Sequence, residues 1–217
     1  MGLKLRNMSD AYPKALRRGE KFFAPIFRPC VKFSRTTMKI LTHWSVEDYH
    51  RMIAAGILAD RAVELWAGEI VEMSPETPIH YNTAKRGARY LEQLLAGRAE
   101  VRFNGPITLA DSEPEPDIAI ARLPESAYNT RHPGAEDIFW VIEVAKTSLQ
   151  HLEIKARIYA RAGIREYWIV DLTHHALIVL RDPQGDRYQY QTEHQGGAIA
   201  PLAFPDLTIT LEPLFPV

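Results

Sequence analysis

The chain has 217 residues, 46% hydrophobic and 24% charged, which suits a globular domain with a real core. No apolar run approaches the roughly 18–20 residues needed to cross a bilayer, and no secretory signal pattern opens the chain. Cys30 is the only cysteine, which excludes an internal disulfide and a cysteine-built zinc site, so a cytoplasmic location is the expectation.

The net charge of -1 is unevenly spread. Residues 1–37 carry nine Lys/Arg against Asp10 and Glu20, a net +7, which leaves -8 on the other 180 residues. An acidic body opposes a simple basic nucleic-acid binder, so any such surface has to be local. Pro13, Pro25 and Pro29 interrupt the basic segment, and no helical or strand period runs through it. Residues 1–37 therefore read as a basic, flexible tail. A DNA-contacting arm, an organelle-type targeting peptide and sequence upstream of a start at Met38 all fit it. Residues 38–217 read as a single domain.

Ser45 before Val-Glu-Asp is a helix-start pattern, with apolar positions recurring at helical spacing to Gly56. Val63–Met73 reads as two short strands about a turn at Ala67-Gly68. Ala84, Ala88, Leu91, Leu94 and Leu95 form one stripe of a helix over 79–96, and strands follow near 99–109 and 116–122. Asp137–Val144 is almost unbroken apolar sequence, as in a strand buried on both faces. A helix over 150–162 stops at Gly163, a natural left-handed cap. Glu166–Asp171 is the next strand, and 175–181 with 187–193 make a hairpin across residues 183–186. The order predicts an α/β (α+β) domain with a central mixed β-sheet flanked by helices.

Acids that interrupt apolar strands carry the chemical signal. Asp117 opens Ile-Ala-Ile-Ala, and Glu143 sits inside Phe-Trp-Val-Ile-Glu-Val. A lone buried carboxylate costs several kcal/mol unless it is paired, protonated or bound to a metal. Two on neighbouring strands repel each other, and a divalent cation removes that repulsion. Mg2+ suits one or two carboxylates with waters and a phosphate oxygen. Lys155 shares a helical face with Leu152 and Tyr159, so its ammonium can point back over the strand end. Blander readings stand beside these: Asp117 can punctuate a turn, Glu143 can pair with Lys146 or Lys155, and helix lysines are commonly solvated. Trp66, Trp140 and Trp168 read as core residues.

Residues 68–171 resemble the Uma2 family of restriction endonucleases, within the PD-(D/E)XK nuclease superfamily. The resemblance is carried by Glu-Leu-Trp-Ala-Gly-Glu-Ile-Val-Glu-Met-Ser-Pro, His80, Pro116-Asp117, Val-Ile-Glu143-Val and Thr147-Ser148. It continues through Lys155 and Tyr159-Ala-Arg-Ala-Gly-Ile-Arg-Glu-Tyr-Trp-Ile-Val-Asp171, the most specific block. It implies a restriction-endonuclease-like core and Mg2+-dependent hydrolysis of DNA, with Mn2+ able to substitute. Asp117 and Glu143 match the metal-binding acids, and Lys155 matches a catalytic lysine moved from strand to helix, Ala145 holding its usual place. Glu69 and His80 match positions near the cleft and are secondary candidates. A homodimer is expected, since many restriction-type nucleases cut both strands as dimers. The sequence departs from the family pattern at Lys146 and His151-Leu152 and in a shorter segment before Lys155. A cation beside Glu143 competes with a metal, which keeps open a catalytically silent protein that binds nucleic acid or a protein partner.

Overall fold

The computed structural model describes residues 42–146 and 149–216. The basic segment 1–37, the start at Met38 and Thr147-Ser148 lie outside the described residues.

The capping box expected at Ser45 is present. Its hydroxyl accepts the Asp48 amide at 3.1 Å, and the Asp48 carboxylate returns to the Ser45 amide, opening α1 (Val46–Ala54). β1 (Val63–Trp66) and β2 (Glu69–Glu72) form the expected hairpin, turned by Ala67 and Gly68, both at positive φ. α2 (Pro78–Leu94) starts behind Thr77, with proline at its first position, where the missing N–H costs nothing.

Six strands form the main sheet in the order β3 (Glu100–Phe103), β4 (Ile118–Ala121), β5 (Ile138–Ala145), β6 (Glu166–Asp171), β7 (Ala176–Gln184) and β8 (Arg187–His194). Only β5 and β6 are parallel, and α3 (Leu149–Arg161) makes the crossover such a pair requires. This is the mixed, helix-flanked sheet expected from the sequence. β3 is shorter than the 99–109 expected, because the chain leaves it through Asn104 at positive φ, then Gly105 and Pro106. The last hairpin turns at Gly185-Asp186, so Pro183 lies inside β7. Proline is tolerated there because the pairing with β6 ends at Arg181.

The strand period of two splits the core between the sheet faces. Ile118, Ile120, Trp140, Ile142, Val144, Trp168 and Val170 pack with Ala84, Ala88, Leu91 and Leu95 of α2. Ala119, Ala121, Val141, Ala145, Tyr167 and Ile169 pack with Leu152, Ile158 and Tyr159 of α3. The segment after β8 contributes Phe204, Leu211, Leu214 and Phe215 to the α2 side, together with the small pair β9 (Ala198–Ile199) and β10 (Ile209–Thr210). No helix among the described residues is long and apolar enough to cross a membrane.

Candidate active site

Sheet alternation decides where the acids point. Val141 and Ala145 face α3, so Glu143 between them faces α3 as well. Asp117 immediately precedes β4 and shares the parity of Ala119 and Ala121. The Ile118–Ile142 pairing, extended by one residue, sets Asp117 opposite Glu143. Both acids are buried, at 7% and 5% exposure. The Val144 amide donates to Asp117 Oδ2 at 2.6 Å, and His80 Nε2 lies 3.2 Å from the same oxygen. On Glu143, Oε1 receives the Tyr159 hydroxyl at 2.7 Å and the Lys155 ammonium at 3.0 Å. Among the described residues no protein donor reaches Asp117 Oδ1 or Glu143 Oε2. Each acid is thus held by one oxygen and keeps the other.

The expected helical face of α3 is present: Leu152, Lys155 and Tyr159 are all buried against the sheet. They line or underlie a cleft of about 270 Å³, walled by Trp66, the 72–77 loop, His80, Asn104 and Lys146. His151 stands at the cleft, edge-on to Trp66, and both His151 and Lys146 are exposed. Trp140 and Trp168 are fully buried core residues; Trp66 is buried too, yet it also lines the cleft.

Four acids that line the cleft, Glu64, Glu72, Glu76 and Glu115, were not among the sequence candidates. Glu64 is 2% exposed in β1, and its Oε1 accepts the Glu115 amide at 2.9 Å and Lys155 at 3.2 Å. Glu76 lies at the cleft with its Oε2 3.9 Å from His80 Nδ1, a buried nitrogen without a hydrogen-bond partner among the described residues. Glu76, His80 and Asp117 bring ligand atoms within 4.8 Å of one another. Glu69, by contrast, is exposed on β2 and does not line the cleft, although its pairing with Trp66 gives it the same hairpin face as Glu64.

Burial pushes the Glu143 carboxyl above the usual carboxylate range; Lys155 opposes the shift, while Asp117 and Glu64 add to it. Burial also works against the Lys155 ammonium, but Glu143 and Glu64 outweigh it and hold the ammonium above the ordinary lysine range. The hydrogen bond to Asp117 raises His80 despite burial. The donor set suits a hard divalent cation, which takes oxygen ligands and needs only one or two carboxylates beside water and phosphate. Asp117 Oδ1 and Glu143 Oε2 can supply them, with Glu76 and His80 beside Asp117.

A search of curated proteins found no match. A crystal structure from Anabaena variabilis, described as a putative nuclease belonging to DUF820, aligns with a TM-score of 0.57 at 16% identity. It covers 71% of this chain and 90% of that one, a likeness of fold. Residues 46–212 match the family described as "Uma2: Putative restriction endonuclease", and the chain belongs to that family.

Proposed function

We propose that this protein is a metal-dependent endonuclease that hydrolyses DNA phosphodiester bonds. The observation that carries the reading is the convergence, on one cleft, of a buried lysine and two buried acids that each keep one oxygen free of donors among the described residues. The family's description and the fold shared with a protein named a nuclease support the same chemistry. Asp117 and Glu143 would hold Mg2+, or Mn2+ in its place. Bound there, it would polarise the scissile phosphate and lower the pKa of a water. Lys155 positions the attacking water through its charge and offsets negative charge gathering on the phosphate. Val144 N–H and His80 fix Asp117, while Tyr159 fixes Glu143, so neither carboxylate has to reorient when substrate arrives. Exposed Lys146 at the cleft gives local positive charge for a backbone phosphate on an otherwise acidic body, with the exposed His151 ring beside the same cleft. We take the working unit to be a cytoplasmic homodimer, since two copies would address two strands.

Lys146 also favours a second reading. It lines the same cleft, and a positive charge there would oppose a bound cation, as a catalytically silent protein that only binds nucleic acid or a protein partner could tolerate.

The deciding experiment is cleavage of supercoiled plasmid with Mg2+ or Mn2+ by wild type and by Glu143→Ala. Metal-dependent nicking that disappears in the variant is the expected result. Folded wild-type protein that cleaves with neither metal would turn the assignment to the silent reading.

A further inference from the structure

Glu64 is more buried than either acid assigned to the metal, and it is engaged differently. Oε1 accepts the Glu115 amide and the Lys155 ammonium, and Oε2 accepts the Trp66 indole N–H. Both oxygens are therefore committed to protein donors, whereas Asp117 and Glu143 each keep one free.

Lys155 shows the reason for this arrangement. Its Nζ lies 3.0 Å from Glu143 Oε1, 3.2 Å from Glu64 Oε1 and 3.5 Å from the Glu115 carbonyl. An ammonium has three N–H donors and no acceptor, so each donor faces one oxygen. Trp66 adds an aromatic wall, its ring 5.6 Å from Nζ, which also favours the cation.

We infer that Glu64 is a positioning residue: with the Glu115 carbonyl it clamps the Lys155 amino group against Glu143 and fixes where that group stands in the cleft. In the hydrolysis the water oxygen bonds to phosphorus while the bridging P–O bond breaks, leaving its electrons on the departing oxygen. The water's proton passes to solvent. The clamp also ties β1 to α3 and to the 113–117 segment that presents Asp117, since Leu65 and Glu113 exchange backbone hydrogen bonds beside it. Only the catalytic consequence rests on the nuclease reading; the clamp itself belongs to the metal-free protein.

Two measurements test the inference separately from that reading. The first is a thermal double-mutant cycle on metal-free full-length protein with Glu64→Gln and Lys155→Met. The clamp requires that each single variant melt lower and that the double variant lose clearly less than the sum; additive losses overturn it. The second compares plasmid cleavage by wild type and Glu64→Gln across Mg2+ concentrations. Turnover should fall by about 100-fold from misplacement of the charge, with the half-saturating Mg2+ concentration nearly unchanged. A rise of about tenfold or more in the half-saturating Mg2+ concentration would make Glu64 a ligand and refute the clamp. Should Glu64→Gln fail to fold, Glu64→Asp, too short to span to Lys155, takes its place in both measurements. If wild type cleaves nothing, the nuclease reading falls while the thermal cycle still decides the clamp.

Discussion

Tyr159 donates to Glu143 Oε1 at 2.7 Å from a fully buried position on α3. Burial, with Glu143 adding to it, holds this phenol well above its usual pKa, so it remains a donor wherever the protein is folded. Replacing Tyr159 by Phe removes one of two donors from a buried carboxylate oxygen while preserving the ring's packing against Tyr167. The expected cost is about 1–3 kcal/mol in denaturant unfolding, accompanied by slower plasmid nicking. A variant with wild-type stability and rate would show that the phenol does not hold Glu143. The same residue scale shows how far a sequence could take the site. Acids set in apolar strands singled out Asp117 and Glu143, and applied to Val-Glu-Leu-Trp the rule would have found Glu64. The rule also touches Glu166 and Asp171, whose partners are structural. Arg181 and the Leu202 amide satisfy Glu166, while His174 and the Thr173 amide satisfy Asp171. Nothing in one strand's text distinguishes these cases, because the partners come from helices, turns and loops as well as from a neighbouring strand. Glu76 carries a weaker signal still, four residues before His80 and outside any strand.

At the scale of elements, α3 stops where the sequence said it would, and the reason is visible. Ile164 N–H bonds to the Tyr159 carbonyl and Gly163 N–H to the Ala160 carbonyl, with Gly163 at φ +79°. This is the glycine-closed Schellman end, and it fixes the last turn of the helix that carries Lys155 and Tyr159. A methyl group at Gly163 would meet open space, so Gly163→Ala isolates the backbone cost, about 1 kcal/mol of destabilisation. Gly87 offers the opposite case. It lies inside α2 with φ outside the left-handed region, and a Cβ there would make ordinary contact with Ile118 at 3.4 Å and Leu214 at 3.5 Å. Gly87→Ala should therefore stabilise by about 0.5–1 kcal/mol. Urea midpoints of the two variants check both signs; a destabilised Gly87→Ala would mean that Ile118 and Leu214 cannot accommodate the methyl. Periodicity located α1, α2, α3 and the central strands because each buries one regular face. It overran β3, where Asn104 and Gly105 break the strand, and it did not resolve residues 195–216, whose short pieces cover the α2 core without a repeat of their own.

At the scale of the whole molecule, the cleft links proton binding, cation binding and stability. Burial raises the Glu143 carboxyl from an ordinary value of 4.5 to about 7, Lys155 opposing and Asp117 and Glu64 reinforcing the shift. The native state holds this proton more tightly than the unfolded chain does. The stability it contributes is therefore present below about pH 4.5 and lost as pH rises through about 7. A divalent cation reverses the sign, because it binds only the carboxylate and only the folded pair, and so stabilises by mass action. Below about pH 7 the proton on Glu143 competes with the cation. His80, raised by its hydrogen bond to Asp117, acts in the same direction when it is charged. Mg2+ should therefore raise the melting temperature, relative to chelator, by more at about pH 8 than at about pH 5.5. Glu143→Ala separates the two titrating groups, since it removes the carboxyl and leaves His80 in place. In that variant the Mg2+ effect should shrink at the higher pH and lose most of its pH dependence. An Mg2+ effect of wild-type size in Glu143→Ala would place the ion away from Glu143, on the Glu76, His80 and Asp117 cluster instead.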